Sequence, residues 1–316
     1  MELHTLNTNM NRMALVAVLC LLAACATRSG SNGGELQFPQ QLVAFTAYSD
    51  SALFSGTDSS TWDKEIRERG FILYDDGIYK MWYTGYHPDR SAAKFLGYAV
   101  SEDGVHWERF AKNPIYREKW TEDVFVLKNQ GLYYLFAEGE NDIAHLLTSA
   151  DGINWESKGD LTILTAKGDT IPGPYGTPTV YIKDGIWHLF YERVDSAIWV
   201  ATSADKLHWR NIQDEPVLIP GPEDYDKGAV AANQIVEWGG KYYLYYHATS
   251  NPDWNKGGRP IYWNSNVAVS DDLLNWQKYP DNPLVENNES SPITVWDGQK
   301  PKLYTMHKNV HLYVSK

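Results

Sequence analysis

Two sets of ionisable residues recur at fixed distances from a repeated glycine, and their types suit acid–base chemistry. Seven residues after Gly77, Gly131, Gly185 and Gly240 stand Thr84, Glu138, Glu192 and His247, and a small shift brings His307 to the matching place after Gly298. Nine and eight residues before the first two glycines stand Glu68 with Arg69 and Glu122 with Asp123. The third copy has Gly176 and Thr177 there, preceded by Tyr175; the fourth carries Asn233 and Gln234, the fifth Ser290 and Ser291. The segments around these positions are apolar and aromatic, so charged groups among them need partners and are seldom decoration. A carboxyl group that keeps its proton can donate it to a leaving oxygen while an ionised one activates water or attacks carbon. Glu192 and Glu138 are the candidates for the acid, and Glu68 with Asp123, helped by Glu122, for the base and orienting carboxylate. The structural alternative is a buried Glu paired to Arg, or a backbone hydrogen bond for His247 and His307. Arg67 and Arg69 flank Glu68, either to neutralise crowded carboxylates or to hold a substrate carboxylate or sulfate in a planar fork.

These positions are set by an internal repeat. Each copy has a glycine turn, an aromatic-rich strand, a strand ending in Ser, then Asp-x-x-x-Trp: Asp103 to Trp107, Asp151 to Trp155, Asp205 to Trp209 and Asp272 to Trp276. The glycines are spaced by 54, 54, 55 and 58 residues. Each unit holds about four short strands, and no helical periodicity competes. Repeated four-stranded units of this size predict an all-β fold, a single-domain five-bladed β-propeller over residues 40–316. The blades should begin near residues 62, 120, 174, 226 and 290. The fifth copy lacks an outer strand, so residues 51–54, or 42–48 beside them, should pair onto it and close the ring from the N-terminal side, removing an open edge. In a propeller the first strands line the channel, and the start of strand one lies at the same face as the end of strand two. The two sets of residues therefore converge on one pocket.

Composition narrows the partners. The chain has 316 residues, 43% hydrophobic and 14% aromatic, enough for a sizeable core. A net charge of −12 argues against a nucleic-acid partner. The two cysteines, Cys20 and Cys25, lie in the first 25 residues, so the body has neither a disulfide nor a Cys-based metal site. No Ca²⁺ loop, zinc motif, phosphate-binding glycine loop or serine nucleophile elbow is present, so no metal or cofactor is expected. Residues 13–22 form an apolar run too short to span a bilayer but suited to a signal peptide. Leu22-Ala23-Ala24-Cys25 then resembles a bacterial lipobox. It implies a signal peptide over 1–24, lipidation of Cys25, a flexible tether over 25–39 and a lipid anchor as the sole membrane contact. Ala26 in place of Asp favours the outer membrane of the cell envelope.

The repeat, the Trp62-Asp63 opening, Met81-Trp-Tyr-Thr-Gly85 and the acids at strand starts resemble the five-bladed propeller glycosidases, relatives of glycoside hydrolase families 43, 32, 117 and 130. The resemblance covers roughly residues 50 to 316 and implies a carbohydrate substrate, a plant or algal poly- or oligosaccharide, cleaved by carboxylate acid/base catalysis with inversion. It lacks the family 32 opening W-x-N-D-P. It keeps His247 among the candidate acids, as in some family 117 enzymes. Trp62, Trp82, Tyr83, Tyr86, Tyr175 and Trp254 are candidate sugar platforms, with Arg67, Arg69, Glu122, His247 and His307 as further binding residues. Arg67, Arg69, Lys227 and His247 leave open a phosphorylase, and a glycan-binding lipoprotein without an acid/base pair is the alternative from another class.

Overall fold

The computed structural model describes residues 38–316 apart from Glu68 and residues 258–259, and only the backbone of Ala92. The signal peptide, Cys25, nearly all of the tether and Glu68 therefore lie outside the described residues.

Five small sheets form the blades of a β-propeller, in chain order. In the first four blades the repeated glycines close two-residue hairpins joining the first and second strands, while Gly298 lies in a longer loop between Val295 and Lys302. In the second blade Gln130 and Gly131 have φ of +52° and +80°, the turn whose twist matches antiparallel strands. That is why the glycine measures position so well: it fixes the register of the two strands nearest the axis.

The first strands of the first four blades break register at the level where the ionisable residues sit. In the first blade Glu65–Ile66 and Phe71–Asp75 both pair with Ile78–His87, leaving 67–70 between them. The register shifts between Glu122 and Phe125 in the second blade, between Gly176 and Thr179 in the third, and between Ala232 and Gln234 in the fourth. Arg69, Asp123, Thr177 and Ser291 have φ of +56°, +50°, +47° and +60° at equivalent places. Such irregularities bend a strand and re-aim a side chain, here toward the axis.

The ring closes as expected. Phe45–Ala47 pairs antiparallel with the last strand, His311–Ser315, and Phe54 bridges Val310. Tyr245 of the fourth blade donates to Leu42 O at 2.8 Å, fixing the N-terminal segment from the other side. Aromatic residues fill the space between blades. Trp82 of the first blade is fully buried and donates to Gly152 O of the second at 2.7 Å; Tyr304 of the fifth donates to Gly104 O of the first at 3.0 Å. Burying such side chains supplies most of the cohesion.

The repeated Ser-x-Asp turns form the outer corners. In the second blade Asp151 Oδ1 accepts from the amides of Ile153 and Asn154 at 2.9 and 2.8 Å, while Ser149 Oγ accepts from Gly152. Asp103, Asp205 and Asp272 repeat the arrangement. The recurrence has a structural cause: each turn caps the amides that lead to the next Trp.

Candidate active site

At the axis, on the face where second strands end, lies a cavity of about 330 Å³. Its base and sides carry Asp123, Glu138, Thr177, Glu192 and His247, with Arg67 at the first blade. Asp142 and Val194-Asp195, from turns after the second strands of blades two and three, and Trp254, Ile261 and Trp263 complete the wall. Two wider hollows, about 530 and 520 Å³, lie along 217–225 with 276–280 and along 100–108. The carboxylates lining those hollows are exposed, so the axial cavity is the one with buried acids.

Glu138 and Glu192 come from neighbouring blades and meet above Gly176. Glu138 Oε2 accepts from the Thr177 amide at 3.0 Å, and Glu192 Oε1 from the Gly176 amide at 3.1 Å. Glu192 Oε2 also accepts from the Asp195 amide. Val194 and Asp195 hold that turn with φ of +56° and +49°, a strained choice for a β-branched residue. Glu138 and Glu192 are 8% and 4% exposed. Burial pushes the Glu192 carboxyl up to about 7, against the pull of the Asp195 amide, and Asp142 adds to the rise. Burial raises Glu138 well above the usual carboxylate range, with Asp123, Glu192, Glu122 and Asp142 adding repulsion. Desolvation favours the neutral acid, the form a proton donor needs near neutral pH.

Arg69 crosses beneath them. Its Nη2 donates to Pro178 O and Thr179 Oγ1 of the third blade, both at 2.6 Å, and the residue is fully buried. Burial lowers the guanidinium to about 10, while Asp123, Glu138 and Glu192 pull the other way. This position sets the Arg69 charge within reach of the Asp123, Glu138 and Glu192 carboxyls. Arg67 faces the cavity, its Nε 2.7 Å from Glu122 Oε2, and Glu122 Oε1 accepts from Trp120 Nε1 at 2.7 Å. Glu122 therefore orients Arg67 beside the cavity. His247 Nδ1 lies 3.1 Å from Asn233 Oδ1, which fixes the plane of the ring at the cavity wall. Trp263 packs edge-on against His247, and Trp254 against Trp263, making an aromatic side wall.

The structure thus brings together Asp123, Glu138, Glu192, His247 and Arg67, with Arg69 below. It does not bring the expected aromatic platforms there, apart from Trp254. Tyr83 is buried inside the first blade, donating to Asp63 Oδ2 at 2.9 Å, with Trp62 stacked on it. Tyr175 is buried and donates to Leu161 O at 2.8 Å. These rings fill spaces in the sheet packing, which aromatic identity alone does not reveal. His307 is buried 3.3 Å from Ser290 Oγ and is absent from the cavity lining. Sequence reading missed Asp142, Asp195, Ile261 and Trp263. For the two acids a signal existed: each lies four or three residues beyond the ring glutamate of its own blade. Among the described residues no three His, Cys, Asp or Glu side chains are grouped to hold a metal ion.

No family model matches the chain. It is 24% identical over 229 residues to a 1,2-β-oligomannan phosphorylase of Thermoanaerobacter sp. (strain X514), covering 66% of this chain and 73% of that one. Among solved structures it is similar to a glycosyl hydrolase from Bacteroides ovatus, with a TM-score of 0.67 and 15% identity over 86% of this chain and 93% of the other. It also matches a structure from the mannoside phosphorylase family 130, described as containing hydrolases of β-1,2-mannosidic linkages in Candida mannan. That match has a TM-score of 0.65 and 14% identity over 85% and 93% of the two chains. The chain has the fold of the five-bladed propeller glycosidases and phosphorylases, and its relatives act on glycans.

Proposed function

We propose that this protein hydrolyses glycosidic bonds in the axial cavity. The observation that carries this reading is the pair Glu138 and Glu192, buried at the cavity base with carboxyl groups biased toward the protonated state. One of them gives its proton to the leaving oxygen as the bond from that oxygen to the anomeric carbon breaks. Asp123, on the same cavity wall, takes a proton from the water that attacks that carbon. Inversion is the outcome the propeller resemblance implies. A poly- or oligosaccharide is the substrate, and β-1,2-linked mannosides are the first to assay beside plant and algal glycans, because the relatives act on them.

Phosphorolysis is the second reading, favoured by the phosphorylase relative. The described wall argues for water as acceptor. Beside the two proton-holding glutamates, the acids Asp123, Asp142 and Asp195 face Arg67 and His247, and Arg67 is already ion-paired with Glu122. A phosphate dianion would enter against repulsion. The test is product analysis over a glycan panel with and without inorganic phosphate. Free sugar at a phosphate-independent rate supports hydrolysis, sugar 1-phosphate supports the second reading, and binding without cleavage supports a glycan-binding protein.

We also propose that the protein is a lipid-anchored component of a bacterial cell envelope, at the outer membrane, supported by Leu22-Ala23-Ala24-Cys25 and the absence of Asp at position 26. Labelled fatty acid should enter the wild-type chain, and Cys25→Ser should abolish it.

A further inference from the structure

We propose that Gly176 is a positioning residue that joins Glu138 and Glu192 into one proton-sharing pair, so that the two act as a single acid. This rests on the glycosidase reading and adds to it the division of labour at the site. The geometry is local and specific. A Cβ built at Gly176 would lie 2.0 Å from Glu138 Oε2 and 2.7 Å from Glu192 Oε1, distances real Cβ atoms do not tolerate. Both carboxylate oxygens therefore crowd one point, so by the triangle rule they are less than about 5 Å apart. The consecutive amides of Gly176 and Thr177 each hold one of them. That requires the break in register between Gly176 and Thr179 and the positive φ of Thr177, +47°, which turn adjacent amides toward neighbouring blades. No side chain other than hydrogen leaves room for this meeting.

Two carboxylates this close in a buried site do not both ionise readily, and their titration belongs to the pair. The charged groups around them push the same way on balance. Asp123 and Glu122 of the second blade's inner strand and Asp142 of its turn act on Glu138; Asp142 also acts on Glu192, against the Asp195 and Gly176 amides and the Arg69 guanidinium. The pair holds one proton over a range in which a lone surface glutamate holds none. When that proton passes to the leaving oxygen the pair is left with two negative charges, which the buried Arg69 guanidinium offsets until solvent returns a proton. Water activation then falls to a group outside the pair, and among the described wall residues Asp123 is placed for it.

The experiment is a carboxyl ¹³C NMR titration of the mature protein labelled at glutamate Cδ, without substrate, with Glu138→Gln and Gly176→Ala beside the wild type. The wild type should show two glutamate signals titrating in concert, in two separated steps. Glu138→Gln should move the remaining Glu192 step toward the ordinary range and make it a single transition. Gly176→Ala should move both steps in the same direction and lower kcat on the cleaved glycan by on the order of 10²-fold, with KM little changed. If Gly176→Ala does not fold, the Glu138→Gln titration decides alone. An unchanged Glu192 titration in Glu138→Gln overturns the pair. Concerted titration in a protein that cleaves no glycan keeps the pair and overturns the glycosidase reading; cleavage without concerted titration does the reverse.

Discussion

At the outer corners of this propeller, Asp103, Asp151, Asp205 and Asp272 are exposed, and each accepts from two backbone amides of its own turn. At the axis, Glu138 and Glu192 are buried beside other carboxylates; Glu138 accepts from the Thr177 amide of the next blade, and Glu192 from the amides of Gly176 and Asp195 in its own. The consequences are opposite. Hydrogen bonds to the turn amides hold the corner carboxyls well below their usual range, with Asp272 at about 2. Burial holds the axial pair above it. The same functional group serves as a fixed anion where the backbone saturates it in water, and as a proton store where the fold withdraws water and sets acids together. Corner carboxylates repeat because each of the first four blades needs the same turn. The axial ones differ from blade to blade, which is what a site for one ligand requires.

The largest effect should separate the two regions by activity. Glu192→Gln should lower turnover by ~10²–10⁴-fold, the usual worth of a positioned proton donor, with no loss of melting temperature. Asp151→Asn should leave turnover within about twofold, because that turn is remote from the reacting groups. A Glu192→Gln enzyme with full activity would remove the axial acid from the mechanism.

Stability should separate them in the other direction. Asp151→Ala removes the acceptor for two amides and for the Asn154 side chain, and should cost about 1 kcal/mol by denaturant unfolding, since water replaces part of what is lost. A cost at Glu192→Gln as large as at Asp151→Ala would mean that the axial acid is structural.

The smallest effect is in the pH dependence of stability. The corner carboxyls have folded values below 3.8, so their contribution is complete above about pH 4 and is lost as pH falls toward 2. Glu192 has the opposite sign. The folded chain keeps a proton that the unfolded chain has released between 4.5 and about 7, so stability declines as pH rises through that window. Glu192→Gln should flatten the decline and leave the acid limb intact; melting temperatures from pH 2 to 8 measure both.

The sequence disclosed the two regions unequally, for physical reasons. The hairpin glycine fixes strand register, so counting seven residues from it placed Glu138, Glu192 and His247 correctly on one wall. Counting eight before it found the bulge positions Arg69, Asp123 and Thr177, although nothing in their identities announced a left-handed backbone. Asp142 and Asp195 were missed because their offsets from the ring glutamate, four and three residues, differ between blades, so the count that works within strands does not carry into the turns. Trp62, Tyr83 and Tyr175 were expected at a sugar face and lie in the packing, since aromatic side chains suit both. The same count located Gly176 but not its role: its contribution is an absent side chain, visible only once two glutamates are seen to converge on it.

The claim that the buried axial carboxyl is the proton donor is tested most directly by the pH dependence of kcat/KM on the glycan the protein cleaves, in wild type, Asp151→Asn and Glu192→Gln. The wild type and Asp151→Asn should lose activity on an alkaline limb above the ordinary carboxylate range, where the Glu138–Glu192 pair gives up its proton. The residual activity of Glu192→Gln should lack that limb. A wild type whose activity stays flat to pH 9, or a Glu192→Gln enzyme that retains the limb, would contradict it.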